Sequence, residues 1–256
     1  MKSVRVDLPE DLTLAELHTF ADWHIGDHSC QKNIIAQQIE EVKSKNNAYV
    51  ILNGDLLNNA TKTSVSDCYA EELAPMEALA RLTVLLEPIK DRILMMMQGN
   101  HEARTYRTDG IDLTYLVAKQ LGIEERYCRE GGLLFLRLGK DPHRKRRQWY
   151  TIYATHGSGG GRKEGAKAIR LADMASIIDA DIYIHSHTHL PMIMKQSFFR
   201  VSGQNSSIAQ VEKLFVNTDS KLGYGGYGQT YEFKPSSNTS PVIYLSGKKK
   251  EFWARL

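Results

Sequence analysis

The first half of the chain alternates short apolar runs with longer segments whose apolar positions recur at helical spacing. The runs have the length of buried strands, which we predict over 14–21, 48–52 and 93–97. Between and after these runs, the pattern predicts helices over 29–45, 70–86 and 112–121. Ser29 is the expected N-cap of the first helix, and Gly122 ends the third. Alternation of this kind is typical of βαβ units with a parallel sheet.

The second half of the chain changes to strands joined by shorter connections. Residues 133–138 and 149–154 are strand-like and flank a basic loop, which predicts a hairpin. A helix is predicted over 164–178, and further strands over 182–184, 192–201, 211–216 and 242–245. We see neither an internal repeat nor a linker. The sequence therefore predicts one α/β domain over residues 1–256, with two packed sheets flanked by helices and residues 191–256 completing the second sheet.

Composition and charge narrow the class of protein only slightly. With 256 residues, 42% hydrophobic and 25% charged, the chain is long enough for a well-buried core. Its net charge of +3 does not by itself indicate a nucleic-acid-binding protein. Cys30, Cys68 and Cys128 are far apart in the sequence, which predicts reduced thiols. We find no signal-peptide core and no apolar run of membrane-spanning length, so we expect a soluble cytoplasmic protein without a membrane partner.

Side chains that can bind metal ions are concentrated in the turns after five predicted strands. They are Asp22 with His24, Asp55, Asn100 with His101, His156, and His187 with His189. Open α/β sheets place their sites at the carboxyl ends of strands. Carboxylate oxygens and neutral imidazoles bind divalent ions, and a pair of ions needs one bridging carboxylate. Asp55 suits that role because it is the only carboxylate in its turn and follows Gly54, which lets backbones come close.

The spacing within two of these turns supports a shared metal site. On an extended chain, Asp22 and His24 point to the same face, and so do His187 and His189, with Thr188 directed away. Taken singly, each turn has an ordinary explanation, because Asp and Asn commonly form turn hydrogen bonds and the histidines from His185 onward could form a surface tract. Five such turns in one chain make a metal site the better explanation.

The order Asp-x-His, Gly-Asp, Gly-Asn-His-Glu, His and His-x-His closely resembles the calcineurin-like metallophosphoesterase superfamily, over a motif core of about residues 14–190. The resemblance implies a four-layer α/β/β/α sandwich with a two-metal site on loops at one sheet edge. The ligands that it implies are Asp22, His24 and His189 for the first metal, Asn100, His156 and His187 for the second, and Asp55 bridging both. His101 would contact phosphate and protonate the leaving oxygen, and Glu102 would support the ligands.

Two departures from the family pattern bear on the substrate. The family usually has glycine where this chain has Ser186, a change of little cost if that position needs no positive φ. The Ser/Thr phosphoprotein phosphatases have an Asp-Arg pair after Gly-Asp, whereas residues 54–59 read Gly-Asp-Leu-Leu-Asn-Asn. This turn resembles those of DNA-repair nucleases and of phage- or prophage-encoded members. The Gly/Tyr-rich residues 224–227 show a weaker resemblance to the phage-type group.

The sequence therefore predicts a dinuclear-metal-dependent phosphoesterase, with phosphodiesters of nucleic acid or nucleotides as the favoured substrates. Mn²⁺ is the favoured metal, with Fe or Zn²⁺ as alternatives, because mixed oxygen and nitrogen ligation does not choose among them. Asn100, His101 and Arg104 are the expected substrate-binding side chains. A phosphomonoesterase for metabolites or phosphoproteins is the alternative among enzymes, and a non-catalytic interaction scaffold is the alternative from another class. The oligomeric state stays open.

Two basic runs add a limited indication about the substrate. Residues 143–147 lie at the predicted hairpin tip beside Trp149 and could contact a phosphate backbone, although a solvated tip is the simpler interpretation. Residues 248–250 are interpreted as a solvated turn.

Overall fold

The computed structural model describes residues 1–62, 64, 67–159, 161, 163–225, 229, 232 and 234–256. Within these ranges the strands are β1 (Lys2–Asp7), β2 (Leu14–Phe20), β3 (Ala48–Asn53), β4 (Ile93–Met97), β5 (Tyr127–Cys128), β6 (Gly132–Leu138), β7 (Gln148–Thr155), β8 (Ile182–His185), β9 (Met192–Ser202), β10 (Ser207–Asn217), β11 (Val242–Ser246) and β12 (Phe252–Arg255). The α-helices are α1 (Lys32–Ser44), α2 (Pro75–Leu86), α3 (Ala103–Asp109), α4 (Leu113–Gln120) and α5 (Glu164–Ile177), and short 3₁₀ helices cover Glu87–Arg92 and Glu124–Arg126. None of the helices in the described part of the chain has the length and apolar character that a bilayer span requires.

The strands form two six-stranded sheets. The order in the first sheet is β12-β11-β2-β3-β4-β5, and in the second it is β1-β6-β7-β8-β10-β9. Strands β2 to β5 run parallel, so their carboxyl ends share one edge of the first sheet. Strands β7, β8 and β10 are parallel in the second sheet. Each sheet therefore presents several strand ends to the loops at one edge, which is where a site can be assembled.

Apolar side chains arrange the two sheets and the helices in four layers. The core between the sheets contains buried residues of both, such as Ile51 and Ile152. Helices α1, α2 and α4 pack on the outer face of the first sheet, and α5 packs on the second through Leu171 and Met174. Each fully buried Leu or Ile side chain contributes about 1.5–3 kcal/mol. The predicted α/β/β/α sandwich is confirmed.

Most predicted elements are present, with differences at the helix starts. Helix α1 begins at Lys32, so the predicted cap at Ser29 is wrong. The Ser29 N–H instead donates to the Asp27 carboxylate, in a turn that precedes the helix. Helix α2 begins at Pro75 and not at residue 70, because proline is favoured in the first turn, where its missing N–H has no helical partner. Among the described residues, the pattern did not predict β1, β5, β12, α3 and the two 3₁₀ helices.

The C-terminal strands divide between the two sheets. Strands β9 and β10 join the second sheet, as predicted for residues 191–256. Strands β11 and β12 do not, and this part of the prediction is wrong, since β11 pairs antiparallel with β2 of the first sheet. In that position Ile243 and Leu245 are buried in the core between the sheets, and the backbone groups on that side of β2 are hydrogen bonded.

Candidate metal centre

The predicted ligands follow the carboxyl ends of five parallel strands, three in the first sheet and two in the second. Asp22 and His24 follow β2, Asp55 follows β3, Asn100 follows β4, His156 follows β7, and His187 and His189 follow β8. The backbone N–H of His187 donates to the Asp22 carboxylate at 3.1 Å, so turns from the two sheets are in direct contact. The structure thus brings together side chains that lie more than 160 residues apart in sequence.

Asp22, His24 and His189 form the first cluster. The His189 Nε2 atom lies 3.1 Å from Asp22 Oδ1, and the His24 Nε2 atom lies 4.0 Å from the same oxygen. Neither ring nitrogen of His24 has a hydrogen-bond partner among the described residues, although both are buried. Buried polar atoms are nearly always satisfied. A cation bound between these three side chains would give one of the two ring nitrogens a partner, so the donor set fits a divalent metal.

Asp55, Asn100, His156 and His187 form the second cluster. His156 Nε2 lies 3.1 Å from Asp55 Oδ2 and 3.0 Å from Asn100 Oδ1, while its Nδ1–H donates to the Asn53 carbonyl at 2.7 Å. Potential ligand atoms of Asp55, His156 and His187 lie within 4.8 Å of one another. The bond to Asn53 fixes the imidazole so that Nε2 faces the cluster.

Electrostatics in the second cluster also favour a cation. Burial lowers the pKa of His156, but the Asp55 carboxylate and further groups outweigh this and raise it to about 10 when no metal is bound. Burial and neighbouring His156 lower the pKa of His187 to about 4, so that imidazole is neutral. Asp55 also lies within 4.8 Å of His24 and His101. It therefore stands between the two clusters, in the position that a bridging carboxylate needs.

The backbone at five of the seven predicted ligands is left-handed and not extended. The φ angles are +53° at Asp22, +52° at His24, +52° at Asp55, +66° at His187 and +53° at His189. The prediction of an extended chain at Asp22–His24 and His187–His189 is therefore wrong. Both residues of each pair adopt the left-handed region, which Asp and His tolerate better than most residues. Such residues cost about 1–3 kcal/mol each and persist where the surrounding structure holds them.

Close approach of two turns explains two of the motif glycines. A Cβ at Gly54 would lie 2.6 Å from the backbone nitrogen of Gly99, and a Cβ at Gly99 would collide with Asp55. The turns after β3 and β4 can therefore approach each other this closely only with glycine at both positions. Ser186 does not have a positive φ, and its Oγ accepts a hydrogen bond from Asn53 at 2.6 Å, so serine is accommodated at this position.

Glu102 supports the turn that carries Asp55. One of its carboxylate oxygens accepts from the N–H groups of Asp55 and Gly99, at 3.1 and 2.9 Å, and the other accepts from Leu57 at 2.9 Å. Burial, followed by the nearby Asp55 carboxylate, raises the pKa of Glu102 to about 7. Its contacts are with backbone and not with the cluster centre, in agreement with the supporting role that the sequence suggested.

His101 lies at the rim of the site beside Arg104. Its backbone N–H donates to Asp55 at 2.8 Å, its Nδ1–H donates to the Asn58 carbonyl at 2.8 Å, and its Nε2 lies 3.7 Å from Asp55 Oδ2. Burial lowers the pKa of His101, and Asp55 partly offsets this. The Arg104 guanidinium lies 3.1 Å from His101 Nε2 and donates to the carbonyls of Asn58 and Asn59, so it orders the turn that holds His101.

This arrangement agrees with a comparison against protein families. The sequence model for calcineurin-like phosphoesterases matches residues 19–191, more than half of the chain and every predicted ligand. The chain belongs to this family. Comparison with curated proteins finds no match.

Three solved structures to which this calcineurin-like phosphoesterase is similar share little sequence with it. A predicted phosphoesterase of Streptococcus pneumoniae TIGR4 is 15% identical, with 95% of this chain and 99% of that chain covered and a TM-score of 0.36. Vps29 of Entamoeba histolytica complexed with zinc is 12% identical, with 94% and 97% covered and a TM-score of 0.39. GAP50, the anchor in the inner membrane complex of Plasmodium, is 11% identical, with 95% and 88% covered and a TM-score of 0.47. Likenesses at this level bear on neither substrate nor partner.

A supporting segment after β10 was missed by the sequence reasoning and lies outside the matched residues. The N–H of Lys221 and the hydroxyl of Ser220 both donate to the Asp22 carbonyl, at 2.9 and 3.0 Å. The Asn217 amide donates to Thr188 Oγ1 at 2.8 Å, between the two predicted histidine ligands. The available signal was a polar run, Asn-Thr-Asp-Ser-Lys, directly after an apolar strand, as at the other five turns.

One further group with metal-binding side chains, among the described residues, lies away from this centre. Glu16, His18 and Glu41 have potential ligand atoms within 4.8 Å of one another. The Lys45 ammonium donates to both carboxylates at 2.8 Å, where a metal ion would otherwise balance their charge. We therefore interpret this group as an ion-pair cluster between β2 and α1.

Proposed function

We propose that this metal-dependent phosphoesterase hydrolyses phosphodiesters, with nucleic acid or nucleotides as its substrates and the cytoplasm as its location. The observation that carries the proposal is a pair of clusters with Asp55 between them, since its carboxylate lies within 4.8 Å of ligand atoms of His24 in one cluster and of His156 and His187 in the other. Two ions held in this way suit attack of water on a phosphoester. The proposal takes the chain as a catalyst, in preference to an interaction scaffold, because potential ligands are present at all five turns together with His101.

In this proposal the two ions are held by the side chains that the motifs indicate. Asp22, His24 and His189 would hold one ion, Asn100, His156 and His187 the other, and Asp55 would bridge them. Mn²⁺ is the favoured ion, and Fe or Zn²⁺ would also accept this mixture of oxygen and nitrogen ligands. When bound, such ions polarise phosphoryl oxygens and lower the pKa of a coordinated water.

His101 would act on the leaving group. Its Nδ1–H is committed to the Asn58 carbonyl, so Nε2 is the atom that can exchange a proton with substrate. A bound phosphate, being an anion, would stabilise the imidazolium and let Nε2 protonate the leaving oxygen. Asn100 and Arg104 complete the proposed substrate-binding set, with Arg104 also maintaining the position of the His101 imidazole.

The preference for diesters rests on the turn after β3. Phosphoprotein phosphatases have an Asp-Arg pair in this turn, whose arginine grips phosphate, and residues 54–59 of this chain, Gly-Asp-Leu-Leu-Asn-Asn, lack that arginine. Leu56 and Leu57 are buried and Asn59 donates to the His101 carbonyl, so the turn offers no cation for the second charge of a monoester. A phosphomonoesterase is therefore the second candidate.

The test compares hydrolysis of bis-p-nitrophenyl phosphate and p-nitrophenyl phosphate by metal-stripped protein reconstituted with Mn²⁺. We expect activity only after reconstitution and a higher kcat/KM for the diester. A monoester preference would replace the proposal with the phosphatase, and no activity with any of Mn²⁺, Fe²⁺ or Zn²⁺ would favour the scaffold.

His101→Ala separates the proposed proton donor from the metal ligands. We expect kcat to fall about 10²–10⁴-fold, since general acid catalysis contributes that much, while metal content is unchanged. His28→Ala is the matched control, because the His28 side chain is half exposed and its imidazole pairs with Asp27, which is not a predicted ligand. An active His101→Ala variant would remove His101 from the mechanism.

A further inference from the structure

Two basic turns that lie a hundred residues apart in sequence are adjacent in the structure. The β6–β7 turn covers residues 139–147, and the β11–β12 turn covers residues 247–251. The hydroxyl of Tyr150 donates to the Lys249 carbonyl at 3.1 Å, and the Lys250 ammonium donates to the Trp149 carbonyl. Gly139 is so close to Gly247 that a Cβ on either would collide with neighbouring backbone. The turns therefore form one surface, which we call the distal basic surface.

The distal basic surface carries more positive charge than the chain as a whole. Residues 140–147 and 248–251 contain eight Lys or Arg side chains and two carboxylates, a net charge of +6. Glu10 and Asp181 form ion pairs with cations of this surface and reduce its net charge to +4, against +3 for the whole chain. Arg144, Lys145, Arg146 and Lys248 are exposed, and within the described residues no ion pair is formed by their side chains. Concentrated, unpaired cations of this kind attract a polyanion.

An exposed aromatic ring follows the β6–β7 turn and lies next to two further guanidinium groups. Trp149 is 40% exposed, and its ring lies 5.1 Å from the guanidinium carbon of Arg5 and 5.2 Å from that of Arg137. Helix α5 covers the part of this sheet around Tyr183 and Phe215, and Trp149 lies outside that contact. Single-stranded nucleic acids bind surfaces of this kind, with bases stacked on aromatic rings and the phosphate backbone along the cations.

The surface lies at the opposite end of the sandwich from the metal centre. Strand β7 begins at Gln148 beside the surface and ends at Thr155, just before His156. In the other sheet, Ser246 pairs with Leu14, at the start of the strand that leads to Asp22. At about 3.3 Å per residue, the eight residues of β7 separate the two regions by roughly 25 Å.

We propose that the distal basic surface binds single-stranded nucleic acid, with the exposed cations on the sugar–phosphate backbone and Trp149 stacked on a base. An anionic membrane is the other polyanion to consider. In the described residues of the two turns no exposed large apolar side chain is available for insertion into lipid, whereas Trp149 is flanked by guanidinium groups that suit base stacking. Binding here does not require that nucleic acid be hydrolysed at the metal centre.

The experiment measures binding of a fluorescein-labelled single-stranded DNA oligonucleotide to the full chain by anisotropy, in EDTA to prevent hydrolysis. The test variant is Arg144→Ser/Lys145→Ser/Arg146→Ser. The matched control is Lys43→Ser/Arg81→Ser/Lys119→Ser, which removes the same charge from the exposed faces of α1, α2 and α4. We expect the test variant to weaken binding about 10- to 100-fold and to reduce the slope of log Kobs against log salt by about 2, with the control within about twofold of the parent.

Trp149 provides a second and independent measurement. Trp149→Ala should weaken binding about 5- to 100-fold and Trp149→Phe should restore most of it, because a stacked base contributes about 1–3 kcal/mol. All variants should hydrolyse bis-p-nitrophenyl phosphate like the parent chain, so failure of this proposal is separable from failure of the proposed function. Equal losses in test and control triple variants, absence of binding by the parent, or binding of phosphatidylserine vesicles in place of the oligonucleotide would each overturn the proposal.

Discussion

Lys221→Met is expected to lower the free energy of unfolding by about 3–5 kcal/mol. Lys221 and Asp219 form an ion pair in which both side chains are almost fully buried, 1% and 2% exposed. Ser240 Oγ completes the pair, at 2.8 Å from the ammonium and 3.0 Å from the carboxylate. Methionine has a similar length but no charge, so it would leave the Asp219 carboxylate buried with one neutral partner, and removing one member of a buried pair costs this much.

The assay is urea unfolding of metal-free protein. The free energies of unfolding of the variants and the parent chain are compared after confirming that their m-values are equal. Asp219→Asn/Lys221→Met should recover most of the loss, because the double variant leaves no uncompensated charge. Lys43→Met is the matched control, since Lys43 pairs with Glu40 on the surface of α1 and such pairs contribute about 0–1 kcal/mol. A loss below about 1 kcal/mol for Lys221→Met, or a double variant less stable than the single one, would show that Lys221 does not compensate a buried Asp219 charge.

The same variant also tests the supporting role of the segment after β10. The Lys221 backbone holds the Asp22 carbonyl, so loosening of the segment should weaken Mn²⁺ binding at the first cluster. Isothermal titration of the folded variant should show this loss in affinity, while Lys43→Met should bind like the parent chain. Unchanged affinity would mean that the segment stabilises the fold without positioning Asp22.

Three further predictions concern the metal centre. Mn²⁺ added to metal-stripped protein should raise Tm, with about 2.7 kcal/mol of added stability at a hundredfold excess over Kd, and Asp55→Asn should abolish most of that rise in scanning fluorimetry. Glu102→Ala should cost about 3 kcal/mol or more in urea unfolding, because three buried N–H groups lose their acceptor, whereas Glu130→Ala, at an exposed position, should stay within about 0.5 kcal/mol. The pKa of Glu102 is raised from 4.5 to about 7. The contribution of this shift to the free energy of unfolding of the metal-free protein is therefore fully present below pH 4.5, and it is lost as pH rises through 7. The parent chain should therefore lose about 3 kcal/mol more than Glu102→Gln over that range, and parallel pH profiles would contradict this.

The local pattern of apolar residues was enough to predict strands that are buried on both faces. The run at 93–97 was predicted at the bounds that the structure shows, because every side chain of β4 is buried and the strand coincides with the apolar run. The turns with metal-binding side chains could be found for the same reason, since each directly follows such a run. Strand β1 was missed because its apolar positions, Val4 and Val6, are only two and alternate with polar residues.

Long-range pairing and backbone conformation could not be predicted from the pattern. The run at 242–245 gives no indication of which sheet it joins, because that depends on the unpaired side of β2, far away in the chain. The left-handed φ angles of Asp22 and His24 are held by contacts with the turns after β3 and β10, which no local spacing encodes. The proximity of the two basic turns likewise depends on β11 crossing to the first sheet.

Between their two ends, the sheets meet through an apolar core. At the end where the predicted ligands lie, the Asn53 amide of the first sheet already donates to Thr155 and Ser186 of the second, at 2.9 and 2.6 Å. Bound ions would add links there, because each proposed set draws ligands from both sheets. Hydrogen bonds between the sheets at the opposite end, such as that from Tyr150 to Lys249, would gain no such links. Amide hydrogen exchange beside the site should therefore slow when metal is added, while exchange at the opposite turns should stay unchanged.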